Sequence, residues 1–499
     1  MPTINVTDDV TLEGDAPLQG QLYQQLSERI LDGRYTPASR LPSSRQLAAD
    51  LGVSRNTVNA VYDQLKAEGF VQGQGGRGIF VHPDLHRRMP PWSAGTRPGT
   101  ASTHRETRPL ARPRPAALPS VPAMPPAFQK RALKVSQDAS LPFQPGLPDL
   151  EAFPIRAWNR LLHHQESRRS LQGYGDVQGY RPLRQAVAGY LRASRGVRCT
   201  EDQVIITQGA QQALSLIADV FLGPGDRVFC ENPGYRGARY ALGRHGHELV
   251  PAPLKHQALD VDALPALGPA RLLSCTPTHQ YPMGGVLDLS QRLALVDWAR
   301  RHDAWIIEDD YDSEFHFHHK PFAAVQGLVD QAPVLYVGSF SKTLLPALRV
   351  GYLVVPEPVV APVLWAKQVS GGETPLLIQS TIAEFIDSGQ FQRHLRRMRQ
   401  LYRDKWQAFQ DRVHRHLNGA FTPVAESAGM HLVLEATADL DDVALHQWLR
   451  HHRLGSTPLS AHFLGTEHRP GLVMGFASAN EHHMDEATRA MARWVSEPR

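Results

Sequence analysis

Five short apolar runs recur between residues 204 and 340: VIIT (204–207), RVFCE (227–231), RLLSCTP (271–277), AWIIEDD (304–310) and VLYVGSF (334–340). Runs this short and this uniformly apolar are strands with both faces buried, and the segments between them read as helices. Such a series closes into an α/β domain, a parallel sheet covered by helices on both faces. The roughly 370 residues from position 128 onward suffice for that domain plus a smaller C-terminal α+β subdomain, and they contain no internal repeat.

The first eighty residues follow a different rule. Leu18, Leu22, Leu26 and Ile30 recur every fourth residue, the stripe of an amphipathic helix. Ser43 or Ser44 is placed to cap a short second helix ending at Leu51-Gly52, and Ser54 a third running to about Glu68, with Gly69 as its stop. On the third helix Val58, Val61, Tyr62 and Leu65 share one face, while Arg55, Asn56, Asn59 and Lys66 point elsewhere. Phe70-Val71, the turn GQGGRG (73–78) and Ile79-Phe80-Val81 then predict a β-hairpin with Arg77 near its tip. From residue 82 to 126 the chain carries eleven prolines, many arginines and almost no periodic apolar residues. It cannot bury enough surface to fold and reads as a semi-stiff tether. The expected organisation is a DNA-binding unit at 15–83, a linker at 84–127 and a large domain at 128–499.

A chain of 499 residues with 42% hydrophobic and 20% charged residues is ordinary globular protein. Its net charge of +4 excludes a polycation, so DNA affinity must come from a local patch. The three cysteines, Cys199, Cys230 and Cys275, have no metal or disulfide spacing. The segment MPTINVTDDV has acids and no apolar core, and nowhere does an apolar run approach 18 residues. The expectation is a cytoplasmic protein with no membrane association and no metal site. The His316, His318 and His319 group has no second cluster to complete one.

A helix that enters the major groove needs polar side chains at its N-terminal end and an apolar face behind. SRNTVNAVYDQLKAEG has both. Arg55, Asn56 and Asn59 are placed for bases, and Ser54 and Thr57 for phosphate oxygens. Arg40, Ser44 and Arg45 suit the DNA backbone, and Arg77 the minor groove. The stretch LPSSRQLAADLGVSRNTVNAVYDQLKAEGFVQGQGGRGIFV (41–81) resembles the winged helix-turn-helix of the GntR family. The resemblance implies binding, as a dimer, to a double-stranded DNA operator.

The larger domain carries residues that match the demands of pyridoxal 5'-phosphate (PLP). That cofactor needs a lysine for a Schiff base, a carboxylate at the pyridine nitrogen, a donor at the phenolic oxygen and an anion cradle for phosphate. Lys342 lies in a Ser339-Phe340-Ser341-Lys342 turn after a predicted strand, Asp309 ends another strand, and Tyr311 follows two residues on. Thr207, Gly209, Ala210 and Gln211 leave a strand and open a helix; Arg349 lies seven residues past the lysine. Tyr235 in ENPGY is placed to stack on the ring, and TPTHQYPMGG brings His279 and Gln280 to another strand end.

From about residue 140 onward the chain resembles the fold-type I aminotransferases. Together with the winged helix it resembles the MocR/GabR-type subfamily of GntR regulators, on the strings TQGAQQAL, ENPGY, TPTHQYPMG, IEDDYDSEF and SFSKTLLPALRVGY. The resemblance implies Lys342 as the Schiff-base lysine, Asp309 at the pyridine nitrogen, Tyr311 at the phenolic oxygen, Tyr235 on the ring face, and Arg349 as the arginine that follows the lysine. It implies a homodimeric transcriptional regulator whose effector, PLP itself or an amine or amino acid, modulates operator binding. The alternatives are a working aminotransferase with an accessory DNA module, or a large domain that only dimerises. Members that sense γ-aminobutyrate place an arginine where this chain has Gly237, flanked by Arg236 and Arg239. Their second carboxylate-binding arginine has no counterpart in TPLSAHFLG (457–465), Arg469 being a displaced candidate.

Overall fold

The computed structural model describes residues 6, 10, 12, 18–31, 33–67, 70–74, 78–83, 141–317, 323–424, 429–466 and 468–496. The chain divides into two compact units, Met1–Pro122 and Ala123–Arg499. The proline-rich stretch, Arg77, His318 and His319 lie outside the described residues.

In the first unit helices α1 (Leu18–Leu31), α2 (Ser44–Asp50) and α3 (Arg55–Ala67) precede an antiparallel hairpin of β1 (Val71–Gln74) and β2 (Gly78–Val81). Leu22, Leu26 and Ile30 of α1 pack with Val58, Val61, Tyr62 and Leu65 of α3 in one core. Ser43, rather than Ser44, caps α2 by accepting the Gln46 amide at 3.2 Å, and Ser54 caps α3 through the Thr57 amide at 3.1 Å. Buried Tyr62 donates its hydroxyl to Pro42 O at 2.9 Å, which ties α3 to the entry of α2. The strands pair through Gln74↔Gly78, so the hairpin turn is shorter than the glycine run predicts.

The second unit is built on an eight-stranded sheet. In chain order its strands are β3 (Val204–Thr207), β4 (Arg227–Asn232), β5 (Glu248–Lys255), β6 (Ala258–Leu259), β7 (Leu272–Cys275), β8 (Trp305–Asp310), β9 (Val334–Ser339) and β10 (Gly351–Val354). In space they run β3-β10-β9-β8-β7-β4-β5-β6. The links β5-β4-β7-β8-β9 are parallel, as the apolar runs predict, but β10 is antiparallel to both β9 and β3. Its link from β9 holds only a single-turn helix and a 3-10 turn, too little for a crossover that would bring the chain back parallel. Alternate residues feed separate cores. Phe229, Leu273, Ile306 and Val334 go to one face, and Val228, Leu272, Ile307 and Leu335 to the other.

A smaller antiparallel sheet of β11 (Phe421–Pro423), β12 (Leu432–Ala436), β13 (Thr457–Pro458) and β14 (Gly471–Met474) forms the C-terminal subdomain, with helices Asp442–His451 and Glu481–Ser496. The 28-residue helix Gln390–Leu417 packs along Glu481–Ser496 and joins the two parts.

Candidate functional site

The carboxyl ends of β3, β4, β7, β8 and β9 converge on one cavity of about 290 Å³. Open α/β sheets place ligand sites there, because side chains leaving adjacent strand ends face a common crevice. Lys342 enters from the single-turn helix Phe340–Thr343 directly after β9. Its Nζ donates to Gly146 O at 2.9 Å. A Cβ on Gly146, whose φ is +77°, would lie 2.4 Å from that nitrogen, so the glycine lets the end of the lysine approach the backbone closely. Burial lowers the Lys342 pKa from its ordinary value, an effect opposed by the negative charges of Asp312 and Asp309.

Asp309 stands next to last in β8 and is buried. Among the described residues nothing donates a hydrogen bond to its carboxylate. Burial pushes its pKa up to about 7, with Asp310 and Asp312 adding to the rise and Lys342 opposing it. Tyr311, two residues on, has its hydroxyl 2.8 Å from His279 Nδ1, and the same nitrogen is 2.9 Å from Asp312 Oδ1.

Helix Ala210–Phe221 begins at the cavity after Gly209, whose φ of +87° is one that L side chains rarely adopt. The helix start is pressed against β10. A Cβ on Gly351 would lie 2.8 Å from Gly209 Cα. The first amides of a helix have no partner within it, and the aligned peptide dipoles favour an anion there. Arg349 reaches the same end, donating from Nη2 to Gln208 O at 3.2 Å. Ser339 and Ser341 lie beside it, their hydroxyl oxygens 3.0 Å apart. A lysine, a carboxylate and an anion cradle thus face one space.

Lys342, Asp309, Tyr311, Tyr235, Gly209, Ala210, Gln211, Ser339, Ser341 and Arg349 all line this cavity. Gln280 does not. Its buried amide donates to Glu231 Oε2, Pro233 O and Tyr281 O, and its Oε1 accepts from Met283 N, so the side chain is spent on holding two loops. Sequence reasoning missed Gly146, Thr276, Tyr281, Asp312 and His431. Tyr281 was adjacent to a residue already singled out. Its ring stands at 90° to Tyr235 and 86° to Tyr311, with centroids 5.8 and 5.4 Å away. His431 comes from the C-terminal subdomain and has no local signal. Burial lowers its pKa to about 4, so it is a neutral imidazole near pH 7. Of the arginines weighed for a ligand carboxylate, Arg469 is committed to Glu435 at 2.7 Å, Arg239 donates to Glu231 O at 2.9 Å, and Arg236 to the Tyr240 hydroxyl at 3.1 Å.

In the N-terminal unit Arg40, Arg45, Ser54, Arg55, Asn56 and Asn59 are exposed, and Ser44 and Thr57 are half-buried. The Ser54 and Thr57 side chains are 2.8 Å apart and engaged in capping α3. Among the described residues no cluster of three or more His, Cys, Asp or Glu has metal-holding geometry.

Residues 18–81 match the model of the bacterial regulatory proteins of the GntR family, and residues 146–460 that of the class I and II aminotransferases. The chain is 37% identical to the probable rhizopine catabolism regulatory protein MocR of Rhizobium meliloti, over 96% of this chain and 94% of that one. It is 32% identical to the pyridoxine biosynthesis transcriptional regulator PdxR of Corynebacterium glutamicum, over 92% of each. Among solved structures, the α-aminoadipate aminotransferase LysN of Thermus thermophilus, complexed with N-(5'-phosphopyridoxyl)-L-leucine, is 28% identical. It superposes with a TM-score of 0.66 over 74% of this chain and 93% of its own. With a winged helix and a fold-type I aminotransferase domain on one polypeptide, the chain belongs to the MocR-type branch of the GntR family and is a DNA-binding transcription regulator.

Proposed function

We propose that this regulator holds PLP covalently on Lys342 and that occupancy of the cavity, by PLP or by an amine or amino acid, sets its affinity for a DNA operator. The observation that carries the reading is the Asp309 carboxylate, which is buried without a hydrogen-bond donor among the described residues while it faces the space that Lys342 enters. A protonated pyridine nitrogen supplies that donor. The remaining groups fit the rest of the cofactor. Tyr311 reaches the phenolic oxygen and Tyr235 covers a ring face. Ala210, Gln211, Ser339, Ser341 and Arg349 cradle the phosphate. When bound, PLP supplies an electron sink for reactions at an amine-bearing carbon.

Ligand binding shifts operator affinity only as far as it favours one conformation over another. In this reading residues 15–83 bind DNA, 84–127 are the tether and 128–499 take the effector, with vitamin B6 or amine metabolism as the regulated process. Arg55, Asn56 and Asn59 read bases, and Arg40, Ser44, Arg45, Ser54, Thr57 and Arg77 contact the backbone or minor groove. We further infer a homodimer in the cytoplasm. Tyr174 is 98% exposed and Trp365 and Val369 are each 72% exposed, apolar surface of the kind a second copy covers. No described helix is long and apolar enough to cross a membrane.

The test is the visible absorbance of the purified protein with PLP, which is expected to disappear in Lys342→Ala. A protein that takes up no PLP would sink the reading. The second reading is a working aminotransferase, favoured by the likeness to LysN and by the intact Lys342 and Asp309. Sustained turnover at ordinary enzymatic rates across amino and oxo acids would establish it.

A further inference from the structure

A second, smaller pocket of about 10 Å³ shares Tyr235, Thr276 and Asp309 with the main cavity and adds Glu231, Arg239 and Cys275 to its wall. That is room for about one water molecule. Three polar groups on this wall have unspent hydrogen-bonding capacity. Glu231 Oε2 accepts from Thr276 N, Thr276 Oγ1 and Gln280 Nε2 at 3.2, 2.8 and 3.2 Å, yet its Oε1 is buried without a partner. Arg239 uses Nη2 on Glu231 O at 2.9 Å, while its Nε is buried without a partner. The Asp309 carboxylate has no donor among the described residues. Three such groups around one pocket would together cost several hydrogen bonds, and native interiors do not leave them unpaired.

We propose that this pocket binds a single ordered water that accepts from Arg239 Nε and donates to Glu231 Oε1 and to the Asp309 carboxylate. Arg239 Nε and Glu231 Oε1 are then satisfied, and one oxygen of Asp309 has its donor. A water with that many polar partners is well held. Glu231 and Arg239 become positioning residues. Through the water they orient Asp309 so that one oxygen stays turned to the main cavity. The functional consequence rests on the reading that PLP occupies that cavity, where this oxygen meets the ring nitrogen. Burial pushes Glu231 up to about 7, opposed by its bonds from Thr276 and Gln280, and the Asp309 charge adds to the rise. The two carboxylates therefore influence each other across the pocket.

Two measurements test this. A high-resolution crystal structure of the full chain, with or without PLP, is expected to show one compact density within hydrogen-bond distance of Glu231, Arg239 and Asp309. A pocket closed by a side chain, or without density, overturns the proposal. Independently, Glu231→Gln removes a like charge near Asp309 and makes that carboxylate less basic. The pH at which the visible absorbance of bound PLP changes is expected to move down by about half a unit or more, with the far-ultraviolet circular dichroism unchanged. A merely structural Glu231 leaves that profile unmoved, and an unmoved profile overturns the positioning role. Wild-type protein that binds no PLP sinks the functional reading instead, and the crystal density still decides the water.

Discussion

Asp309 is held in a state that the protein without cofactor does not favour, and Asp309→Asn measures the strain. The Asp309 pKa rises from 3.8 to about 7 in the folded chain, and that net value already includes the opposing pull of Lys342. The sign follows from the direction. An acid whose folded pKa is raised costs nothing below its unfolded value near 4. The cost grows as pH climbs through 4 to 7 and is complete above that. At about 1.4 kcal/mol per unit, the penalty is about 2 kcal/mol at pH 5 and about 4 kcal/mol at pH 8. Asparagine is neutral at both. PLP-free Asp309→Asn is therefore expected to gain about 2–3 kcal/mol of stability relative to wild type between pH 5 and pH 8, while its PLP affinity falls. Urea unfolding of the PLP-free proteins at the two pH values, followed by tryptophan fluorescence, reads the difference. An advantage that is the same at both pH values, or a loss at pH 8, refutes the argument that this carboxylate is buried with an oxygen lacking a donor until the cofactor arrives.

Four further outcomes are expected. Arg349→Ala removes the guanidinium beside the helix start, and PLP affinity measured by spectral titration should drop about 10- to 100-fold, the worth of a charge-assisted hydrogen bond to phosphate; an unchanged affinity would place the phosphate elsewhere. In the winged helix, Val58→Ala cuts into a fully buried site and should cost about 1–3 kcal/mol of unfolding free energy. Arg55→Ala should leave the melting temperature unchanged and weaken operator binding by about 1–3 kcal/mol in gel-shift titrations, and equal binding by both proteins would remove Arg55 from the interface. Asp310→Ala breaks a buried pair with Arg195, whose Nε is 2.8 Å from Asp310 Oδ2, and should destabilise the large unit by about 3–5 kcal/mol in calorimetry; a change under 1 kcal/mol would mean that Arg195 is stabilised by its other contacts.

Lys342 and Asp309 were legible because each sits at a strand end that its own neighbours announce: a continuous apolar run stops and a polar turn begins. The winged helix was legible for a similar reason. The spacing of Val58, Val61, Tyr62 and Leu65 turns one face of α3 inward and leaves Arg55, Asn56 and Asn59 outside. In such cases a local period alone dictates burial.

The partners of these residues were not legible. Gly146, whose carbonyl accepts from Lys342, lies 196 positions away, and His431 reaches the cavity from another subdomain. Gln280 had the same kind of local signal as Lys342, yet tertiary packing spends its amide on Glu231, Pro233 and Tyr281. The antiparallel β10 was equally unannounced, since the apolar run GYLV (351–354) carries no mark of direction. By itself the sequence determined which residues leave a strand or helix, because that depends on periods of a few residues. Which of them meet depended on the strand order β3-β10-β9-β8-β7-β4-β5, in which β3 lies beside β10 and β4 beside β7, strands that do not follow each other along the chain. Only the folded sheet brings Lys342, Asp309 and the start of helix Ala210–Phe221 to one cavity, and only its burial turns Asp309 into a carboxylate in need of a donor.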